Sequence, residues 1–361
     1  MFPKLFRQFS SIAKLEKLHH TPVMSEEVLR IFSPKTNNKY LDMTFGGGGH
    51  TKMLLNAMKG TTVYCLDRDP VAYELAIETS SRYSDSSLIP LIGKFSDLPK
   101  QLSSIGIPQN YFDGILIDCG CSSMQFDNAD RGFSISKEGP LDMRMDKGRL
   151  TNQLSAADIL AFIDEDNLTR VLKVYGEEKL ARKIARAVVE ARYLFKRLKT
   201  TTELAQLVES ASGFAARADK LQRPSHVATK TFQALRILVN DELNELDIAM
   251  KVAANYLRPG GKIVTISFHS LEDRIIKNHL AGADCPESSL QQYKTYGLEW
   301  NAQDMEGLMK RRWQCINKHV LVPDDSELQR NPRSRSAKLR AALKIYWFLS
   351  WSVVYNSDSS E

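Results

Sequence analysis

Short apolar runs alternate with amphipathic segments over the first third of the chain. The runs lie at residues 39–45, 61–67, 87–93 and 112–118, and the second and fourth of them end on an acidic residue. Helical patterns separate the runs, as in residues 50–58 and in "AYELAIETSSRY". Strands that alternate with helices predict βαβ units and a parallel sheet, and uninterrupted apolar runs predict strands that are buried on both faces.

The alternation stops at about residue 136 and resumes only after residue 236. Successive helical patterns fill the interval, among them "GEEKLARKIARAVVEARYLF" and "TTELAQLVESA". A helix in "NDELNELDIAMKVAANYL", the turn "RPGG" and a fifth strand at 262–268 then complete the α/β pattern. We therefore predict an α/β domain made of residues 19–135 and 237–343, with an all-helical insertion at 136–236 that covers a cofactor cleft on the sheet. Residues 281–310 show weak periodicity and are expected to be rich in loops.

The two ends of the chain differ from the rest in composition. Residues 1–18 belong to "MFPKLFRQFSSIAKLEKLHH", which has four Lys or Arg and one acid among Phe, Leu and Ser. That composition is typical of a mitochondrial presequence, which predicts a protein of the mitochondrial matrix; a disordered leader is the alternative. The tail, 344–361, contains the apolar run "IYWFLSWSVVY". The run is too short for a bilayer, which needs about 20 residues, so we expect no membrane association.

Positive charge is concentrated in two segments of a chain whose formal net charge is +6. Residues 179–199 carry eight Lys or Arg against one acid, and residues 310–340 carry nine against three. A helix over 177–192 would place four of these cations on one face, namely Lys179, Arg182, Lys183 and Arg186. Clustered cations suit a polyanion such as RNA, although two solvated helix faces would have the same composition.

Four consecutive glycines follow the first strand, in "LDMTFGGGGH" at residues 41–50. A triphosphate-binding loop needs a Lys-Ser or Lys-Thr pair that is absent here, and a dinucleotide fingerprint needs a third glycine where Thr51 or Lys52 stands. A ligand without phosphate, S-adenosylmethionine, is therefore favoured over a nicotinamide cofactor. Asp67, at the end of the second strand, could accept hydrogen bonds from the ribose of either cofactor. A tight turn with no ligand is the alternative explanation of the glycines.

Asp118 ends the fourth strand, in "LIDCGCSSMQFD". Its carboxylate could accept a hydrogen bond from the methionine amino group or from a target amine, or it could cap the loop. The five cysteines include no C-x-x-C pair. We therefore expect reduced thiols and no metal site.

Motifs in a fixed order carry a resemblance to a known family. They include "LDMTFGGGGHT", "LDRDP", "DCGCSSMQFD", "GPLDMRMD", "TKTFQALRILVNDELNEL" and "NPRSRSAKLRAA". Over residues 19–343 the chain resembles the ribosomal RNA small-subunit methyltransferase H family, and within it the mitochondrial subgroup. The resemblance implies an α/β, Rossmann-like class I S-adenosylmethionine-dependent methyltransferase with an inserted helical domain. It also implies methyl transfer to N4 of a cytidine in small-subunit ribosomal RNA, the 12S RNA in mitochondria, in support of subunit assembly and translation.

The same resemblance, with the reasoning above, assigns candidate residues. The implied cofactor contacts are Gly48, Gly49, His50, Asp67, Phe95, Asp118 and Gln125. The catalytic candidates are Asp118, Ser122 and Asp142, and further polar residues near the pocket are Ser123, Arg144, Asp146, His269 and Ser270. Ser270 could instead cap a helix, and "LDMRMD" could brace the insertion. The residues expected to bind RNA are Arg182, Lys183, Arg186, Lys230, Arg236, Arg333 and Arg335.

Two other functions fit parts of this sequence. One is a ribosome-assembly factor that holds the cofactor and RNA without turnover, and the intact cofactor positions favour an enzyme over it. The other is a methyltransferase that acts on a small molecule or a protein, for which the basic insertion would be superfluous. The expected partners are therefore small-subunit ribosomal RNA or the ribosomal particle, together with assembly factors.

Overall fold

The computed structural model describes residues 22–194, 197–213, 217–218, 224–281, 312–317 and 319–345. The expected leader at 1–18 and the apolar run of the tail, from residue 346 onward, lie outside these ranges. Nearly all of the segment expected to be rich in loops, at 281–310, also lies outside them. No helix within the described ranges combines the length and the apolar character that crossing a membrane requires.

A seven-stranded sheet forms the centre of the molecule. In chain order its strands are β1 (Lys39–Asp42), β2 (Thr62–Asp67), β3 (Ser87–Ile92), β4 (Phe112–Asp118), β7 (Leu257–Ser267), β8 (Trp313–Cys315) and β9 (Lys338–Lys344), while β5 (Arg217–Ala218) and β6 (Pro224–Ser225) form a separate ladder. The spatial order in the sheet is β3-β2-β1-β4-β7-β9-β8. The strands β3, β2, β1, β4 and β7 are parallel to one another, and β9 runs antiparallel to both of its neighbours, β7 and β8. The expected α/β, Rossmann-like fold is thereby confirmed.

Helices cover both faces of the sheet. Alternate strand residues point to opposite faces, so a fully apolar strand presents hydrophobic side chains on each face that a helix can bury. On one side α1 (Ser25–Phe32), α2 (Gly49–Ala57) and α3 (Pro70–Ser80) pack on Tyr40, Val63 and Leu116. On the other side α4 (Leu98–Ser104), α11 (Glu242–Tyr256) and α12 (Ser270–Leu280) pack on Leu41, Leu66 and Ile115. The fully apolar strands of the sequence therefore have hydrophobic partners on both faces.

Two strand boundaries differ from the sequence prediction. β1 ends at Asp42 rather than at residue 45, because the Asp42 carboxylate accepts a hydrogen bond from the Thr44 backbone N–H at 3.1 Å and turns the chain. β7 begins already at Leu257, and the "RPGG" segment is accommodated as an irregularity opposite Phe112 and Gly114.

The inserted segment has a hydrophobic core of its own. Its helices are α6 (Ala156–Phe162), α7 (Glu165–Tyr175), α8 (Ala181–Leu194), α9 (Thr201–Ser212) and α10 (Thr229–Asn240), after the short α5 (Ser123–Asp127) that follows β4. Leu168, Ile184, Leu204 and Leu235 are among the buried residues of this core. The expectation of a purely helical insertion was incomplete, since β5 and β6 form a two-stranded antiparallel ladder within it.

Two predicted boundaries in the insertion also change. The helix expected from residue 177 begins only at Ala181, because Glu177 adopts a left-handed φ of 49° and the Glu178 carboxylate accepts from the Leu180 N–H. Lys179 therefore precedes the basic helix. The boundary expected at residue 236 falls inside α10, and Val239 still packs in the core of the insertion.

Candidate active site

A cavity of about 790 Å³ opens where the strand order reverses, at the carboxyl ends of β1 and β4. Parallel sheets bind their ligands at this position because the chain leaves β1 and β4 in opposite directions. Its lining includes these predicted residues: Gly49, His50, Asp67, Phe95, Asp118, Ser122, Gln125, Arg236, Arg333 and Arg335. Gly48, Asp142, Arg182, Lys183, Arg186 and Lys230 lie outside the lining.

The glycine loop makes one wall of the cavity from backbone. Gly46 and Gly48 have φ values of 52° and 76°, in the left-handed region that favours glycine. A Cβ on Gly48 would lie 2.7 Å from the Phe45 ring, whereas a Cβ on Gly47 would meet no atom within 4 Å. Gly48 is thus required by the turn itself, and Gly47 leaves open space beside the cavity for a ligand.

Asp67 holds the loop against the end of β2. Its two carboxylate oxygens accept from the Gly46 N–H at 2.7 Å and from the Asp69 N–H at 2.8 Å. Burial raises the pKa of Asp67 to about 6, although these two hydrogen bonds favour the ionised form. The carboxylate has remaining lone pairs and lines the cavity, as an acceptor for ribose hydroxyls must.

His50 lies in the first turn of α2 and is buried. Its Nε2 is 3.0 Å from the Val23 carbonyl oxygen, to which it donates, and its Nδ1 is 3.7 Å from Asp118 Oδ2. Burial lowers the pKa of His50, so the ring is neutral. A neutral His50 with its proton on Nε2 presents the lone pair of Nδ1 toward Asp118, so it neither donates a hydrogen bond to that side chain nor pairs with it as a cation.

Asp118 projects into the cavity from the end of β4. Thr44 anchors the backbone here, since its Oγ1 accepts from the Asp118 N–H at 2.8 Å. The Oδ1 atom of Asp118 is buried and receives no hydrogen bond from any described residue. Burial, with the negative charges of Asp42 and Glu272, raises the pKa of Asp118 well above its usual value. The side chain lines the cavity and is 24% exposed, and because Oδ1 is buried, Oδ2 is the oxygen that can meet a ligand there.

Gln125 and Ser122 are in the cavity wall, but their polar atoms already have protein partners. Ser122 caps α5, and the Gln125 Oε1 accepts from the Ser122 N–H at 3.1 Å. The Gln125 Nε2 donates to Asp69 Oδ2 at 2.9 Å and to the Met145 carbonyl at 3.3 Å. Gln125 thus joins the sheet to the insertion, a role that its sequence position did not indicate.

Sequence reasoning missed the buried ion pair beside Gln125. Arg131 Nη1 lies 2.6 Å from Asp69 Oδ2, and Arg131 Nη2 donates to the Met145 carbonyl at 2.7 Å. Both charged side chains are less than 10% exposed. The backbone of Asp69 donates to Asp67, so this pair connects the predicted ribose acceptor to the insertion. Arg131 is the first residue of the segment "RGFS", and nothing in that segment indicates that its partner lies 62 residues away.

Arg236, one of the residues expected to bind RNA, is held by neighbouring side chains. Its guanidinium lines the cavity and donates to both carboxylate oxygens of Glu242 at 2.8 Å, and to the Cys121 sulfur at 3.4 Å. Glu242, His269 and Glu272 place three metal-ligand atoms within 4.8 Å of one another. Arg236 already supplies a cation to this group, because it binds Glu242 in a bidentate pair.

Asp142 is not brought to the cavity, so the structure separates it from the other catalytic candidates. Its carboxylate forms a bidentate pair with Arg144, with distances of 2.9 and 2.7 Å. The alternative in which "LDMRMD" braces the insertion is consistent with this contact. His269, rather than Ser270, caps α12, and the Ser270 hydroxyl donates to Glu177.

The remaining cations predicted to bind RNA form two groups. Arg182, Lys183 and Arg186 are exposed on α8, with Glu165 at 3.7 and 3.5 Å from the two arginines. Arg333 and Arg335 line the cavity, where Arg333 donates to Asp127. Lys230 belongs to neither group: it is half-buried in the first turn of α10 and donates to the Glu177 carbonyl.

The family model for the MraW methylase family matches residues 17–345. The chain belongs to the MraW methylase family. Membership in this family of S-adenosylmethionine-dependent methyltransferases fits the geometry above, in which a glycine loop and two strand-end acids surround one cavity.

Several named relatives match most of this chain. A methyltransferase-like protein 15 homolog of Drosophila melanogaster is 49% identical over 329 residues, which are 90% of this chain and 92% of that protein. The 12S rRNA N(4)-cytidine methyltransferase METTL15 of Homo sapiens is 48% identical, over 94% of this chain and 85% of that one. The ribosomal RNA small subunit methyltransferase H of Granulibacter bethesdensis is 41% identical, over 89% of this chain and 90% of that protein.

Two further proteins are also similar to this chain. A Culex quinquefasciatus protein named as the receptor-type tyrosine-protein phosphatase mosPTP-1 is 50% identical over 95% of this chain, but the chain spans only 23% of that protein. The match to the solved structure of an rRNA methylase from Streptococcus thermophilus covers 88% of this chain and 92% of that chain, with 10% sequence identity and a TM-score of 0.31.

Proposed function

We propose that this chain transfers a methyl group from S-adenosylmethionine to N4 of a cytidine in small-subunit ribosomal RNA. The MraW methylase family membership and the names of the relatives support this reaction. The observation that carries it is Asp118, which ends β4, lines the cavity and leaves Oδ2 as the carboxylate oxygen within reach of a ligand, since Oδ1 is buried.

The residues of the cavity fit S-adenosylmethionine. Gly47 leaves room beside the loop for the methionine part, and Asp67 can accept from the ribose hydroxyls. Phe95 offers an apolar surface for the adenine. The turn that carries Phe95 is held in place by Glu245, whose carboxylate accepts from the N–H and the hydroxyl of Ser96. These side chains bind and orient the cofactor without a phosphate-binding group.

Asp118 supplies the acid–base chemistry that the amine requires. The lone pair of cytosine N4 is delocalised into the ring, so the nitrogen becomes a good nucleophile only as it loses a proton. When bound, S-adenosylmethionine supplies a methyl group that is activated by a positively charged sulfur. As the N4–methyl bond forms and the sulfur–methyl bond breaks, Asp118 accepts the N4 proton, and its raised pKa makes it a stronger acceptor than an exposed aspartate.

The cellular setting is part of the same proposal. The relative from Homo sapiens is named for 12S rRNA, and the N-terminal composition is that of a mitochondrial presequence. We therefore assign the chain to the mitochondrial matrix, with the 12S RNA or the assembling small subunit as substrate and assembly factors as its partners.

Transfer of a tritiated methyl group to small-subunit RNA tests the reaction. We expect Asp118→Asn to lower kcat by about 10²- to 10⁴-fold, which is the usual contribution of a positioned general base. Asp142→Asn is the matched control, because Asp142 lies outside the cavity, and it should retain the activity of the parent protein. Full activity of Asp118→Asn would overturn the role of Asp118.

The same assay separates the enzyme from the assembly factor without turnover. A parent protein that binds S-adenosylmethionine but transfers no methyl group to small-subunit RNA would favour the assembly factor. In cells, mass spectrometry should show that N4-methylcytidine disappears from mitochondrial small-subunit RNA when this protein is lost. An unchanged amount of N4-methylcytidine would contradict the assignment of this RNA as the substrate.

A further inference from the structure

Helix α8 exposes a row of two arginines and a tyrosine. The side chains of Arg182 and Arg186 are 73% and 59% exposed, and Tyr193 is 81% exposed. Their spacings of four and seven residues correspond to whole turns of a helix, so the three side chains lie along one face. Neither the hydrophobic core of the insertion nor the cavity includes Tyr193.

A second exposed aromatic residue lies beside this row. Phe162 ends α6 and is 72% exposed, and the Arg197 guanidinium lies 5.0 Å from the centre of its ring. A cation over the face of an aromatic ring is attracted by the ring quadrupole. The contact keeps Phe162 at the surface next to positive charge.

The turn that carries Phe162 is attached to both ends of α8. Arg192 Nη2 donates to the carbonyl oxygens of Leu160 and Ile163, at 2.6 and 2.7 Å. At the other end of α8, the Glu165 carboxylate lies within 4 Å of Arg182 and Arg186. These contacts place Phe162 and the exposed row of α8 on one continuous surface of the insertion.

Charge on this surface selects the class of ligand. Arg182, Arg186 and Arg197 are exposed cations of this surface, and Glu165, which contacts the first two, offsets only part of their charge. Surfaces that combine cations with exposed aromatic rings bind single-stranded nucleic acids, because bases stack on the rings while phosphates contact the cations. A double helix cannot use the rings in this way, since its bases are already stacked on one another.

We propose that Phe162, Tyr193, Arg182, Arg186 and Arg197 form a stacking surface that holds unpaired bases of the RNA substrate outside the catalytic cavity. This inference rests on the proposed function, in that it takes RNA as the ligand of the insertion. The surface positions a single-stranded segment on the insertion, while the target cytidine enters the cavity between the insertion and the sheet.

Binding of a fluorescein-labelled single-stranded oligoribonucleotide to the full chain tests the stacking surface. We expect the double variant Phe162→Ala/Tyr193→Ala to weaken this binding by about tenfold or more, as removal of stacking residues does in other single-strand binders. Binding of a double-stranded RNA of the same length should not change. Ile77→Ala, which truncates a 48% exposed residue on α3, is the matched control and should bind both RNAs as the parent does.

The conservative variant Tyr193→Phe keeps the ring and should retain single-strand affinity. The proposal is overturned if the double variant binds the single strand as the parent does, if both RNAs lose affinity equally, or if the parent binds no single strand. A parent that binds the single strand through these rings but transfers no methyl group would contradict the proposed function and leave the stacking surface supported. Truncation of two exposed side chains should leave the melting temperature unchanged, which circular dichroism can verify.

Discussion

Asp67 and Asp118 end the two strands that flank β1, and their surroundings give them different chemistry. Each oxygen of Asp67 accepts a backbone N–H, and burial raises its pKa only to about 6. Asp118 has an oxygen without any donor among the described residues, and burial together with the negative charges of Asp42 and Glu272 raises its pKa well above its usual value. One acid is thus mainly an ionised acceptor at neutral pH, whereas the other is suited to take up a proton.

The pKa of Asp67 predicts how cofactor binding depends on pH. Ribose hydroxyls donate to the ionised carboxylate, so affinity for S-adenosylmethionine should be constant near pH 8 and should fall as pH decreases through about 6. The decrease should not exceed about tenfold per pH unit, because one group titrates. Isothermal titration calorimetry between pH 5 and pH 8 measures it.

Asp67→Asn is the control for this effect. Its side chain cannot ionise, so its weaker cofactor binding should show no change across the same pH range. If the variant and the parent protein had the same pH dependence, another group would be responsible for it.

At the scale of single elements, the glycine loop combines two separate requirements. Gly48 is needed for the turn, since its φ is 76° and the Phe45 ring occupies the place of a Cβ. Gly47 has no such constraint from the protein, because a Cβ there would meet no atom within 4 Å. The sequence shows four glycines, and only their conformations separate the structural position from the ligand-facing one.

Two alanine variants distinguish these requirements. Gly48→Ala should lower the free energy of unfolding by about 1–3 kcal/mol through backbone strain and overlap with Phe45. Gly47→Ala should leave the free energy of unfolding unchanged and weaken cofactor binding, because its methyl group enters the cavity. Urea unfolding and calorimetric titration of both variants provide the comparison, and equal stability of the two would contradict it.

Helix α8 carries its cations outside the cavity, so its electrostatic role can be tested apart from catalysis. Replacing Arg182, Lys183 and Arg186 with alanine should weaken RNA binding for single and double strands alike. The slope of log K against log salt should become less steep by about 2–3 in total, close to one per phosphate contact. Affinity for S-adenosylmethionine should persist.

The matched control uses cations of the sheet domain. Lys59→Ala and Arg82→Ala remove two exposed charges far along the chain from α8, and these variants should retain the salt dependence of the parent protein. Identical RNA affinity in the triple variant and the parent protein would remove α8 from the RNA-binding surface.

At the scale of the whole molecule, a buried polar network joins the insertion to the sheet. Asp69 Oδ2 accepts from both Arg131 and Gln125, and both of these side chains also bind the Met145 carbonyl. Asn240 adds a second connection, because its amide binds the Met143 carbonyl and the Met145 N–H. Asp67, which accepts from the Asp69 N–H, and the insertion are therefore parts of one connected structure.

Removing one member of the buried pair should be costly. Arg131→Met leaves the Asp69 carboxylate buried without its cation, so we expect a loss of about 3–5 kcal/mol in the free energy of unfolding. Arg82→Met is the control, since it breaks the exposed i,i+4 pair with Glu78, and it should cost about 0.3–0.5 kcal/mol. Urea unfolding gives both values, and similar losses in the two variants would show that Arg131 does not join the two parts.

The sequence by itself determined the α/β fold, the carboxyl ends of β2 and β4, and the cofactor class. These are local properties: apolar runs of strand length identify β1, β2 and β4, and the residues directly after a parallel strand must lie at one edge of the sheet. Asp67 and Asp118 could therefore be found from the sequence as candidate site residues, and the structure places both at one cavity.

Only the tertiary structure decided which side chains have partners. Arginine is a residue type that is mostly exposed, yet the packing of α10 places Arg236 in the cavity wall beside Glu242. Asp69 and Arg131 are 62 residues apart, and Phe162 and Arg197 are also distant along the chain. Side-chain contacts between distant segments depend on how whole elements pack, and no periodicity or motif within either segment contains that information.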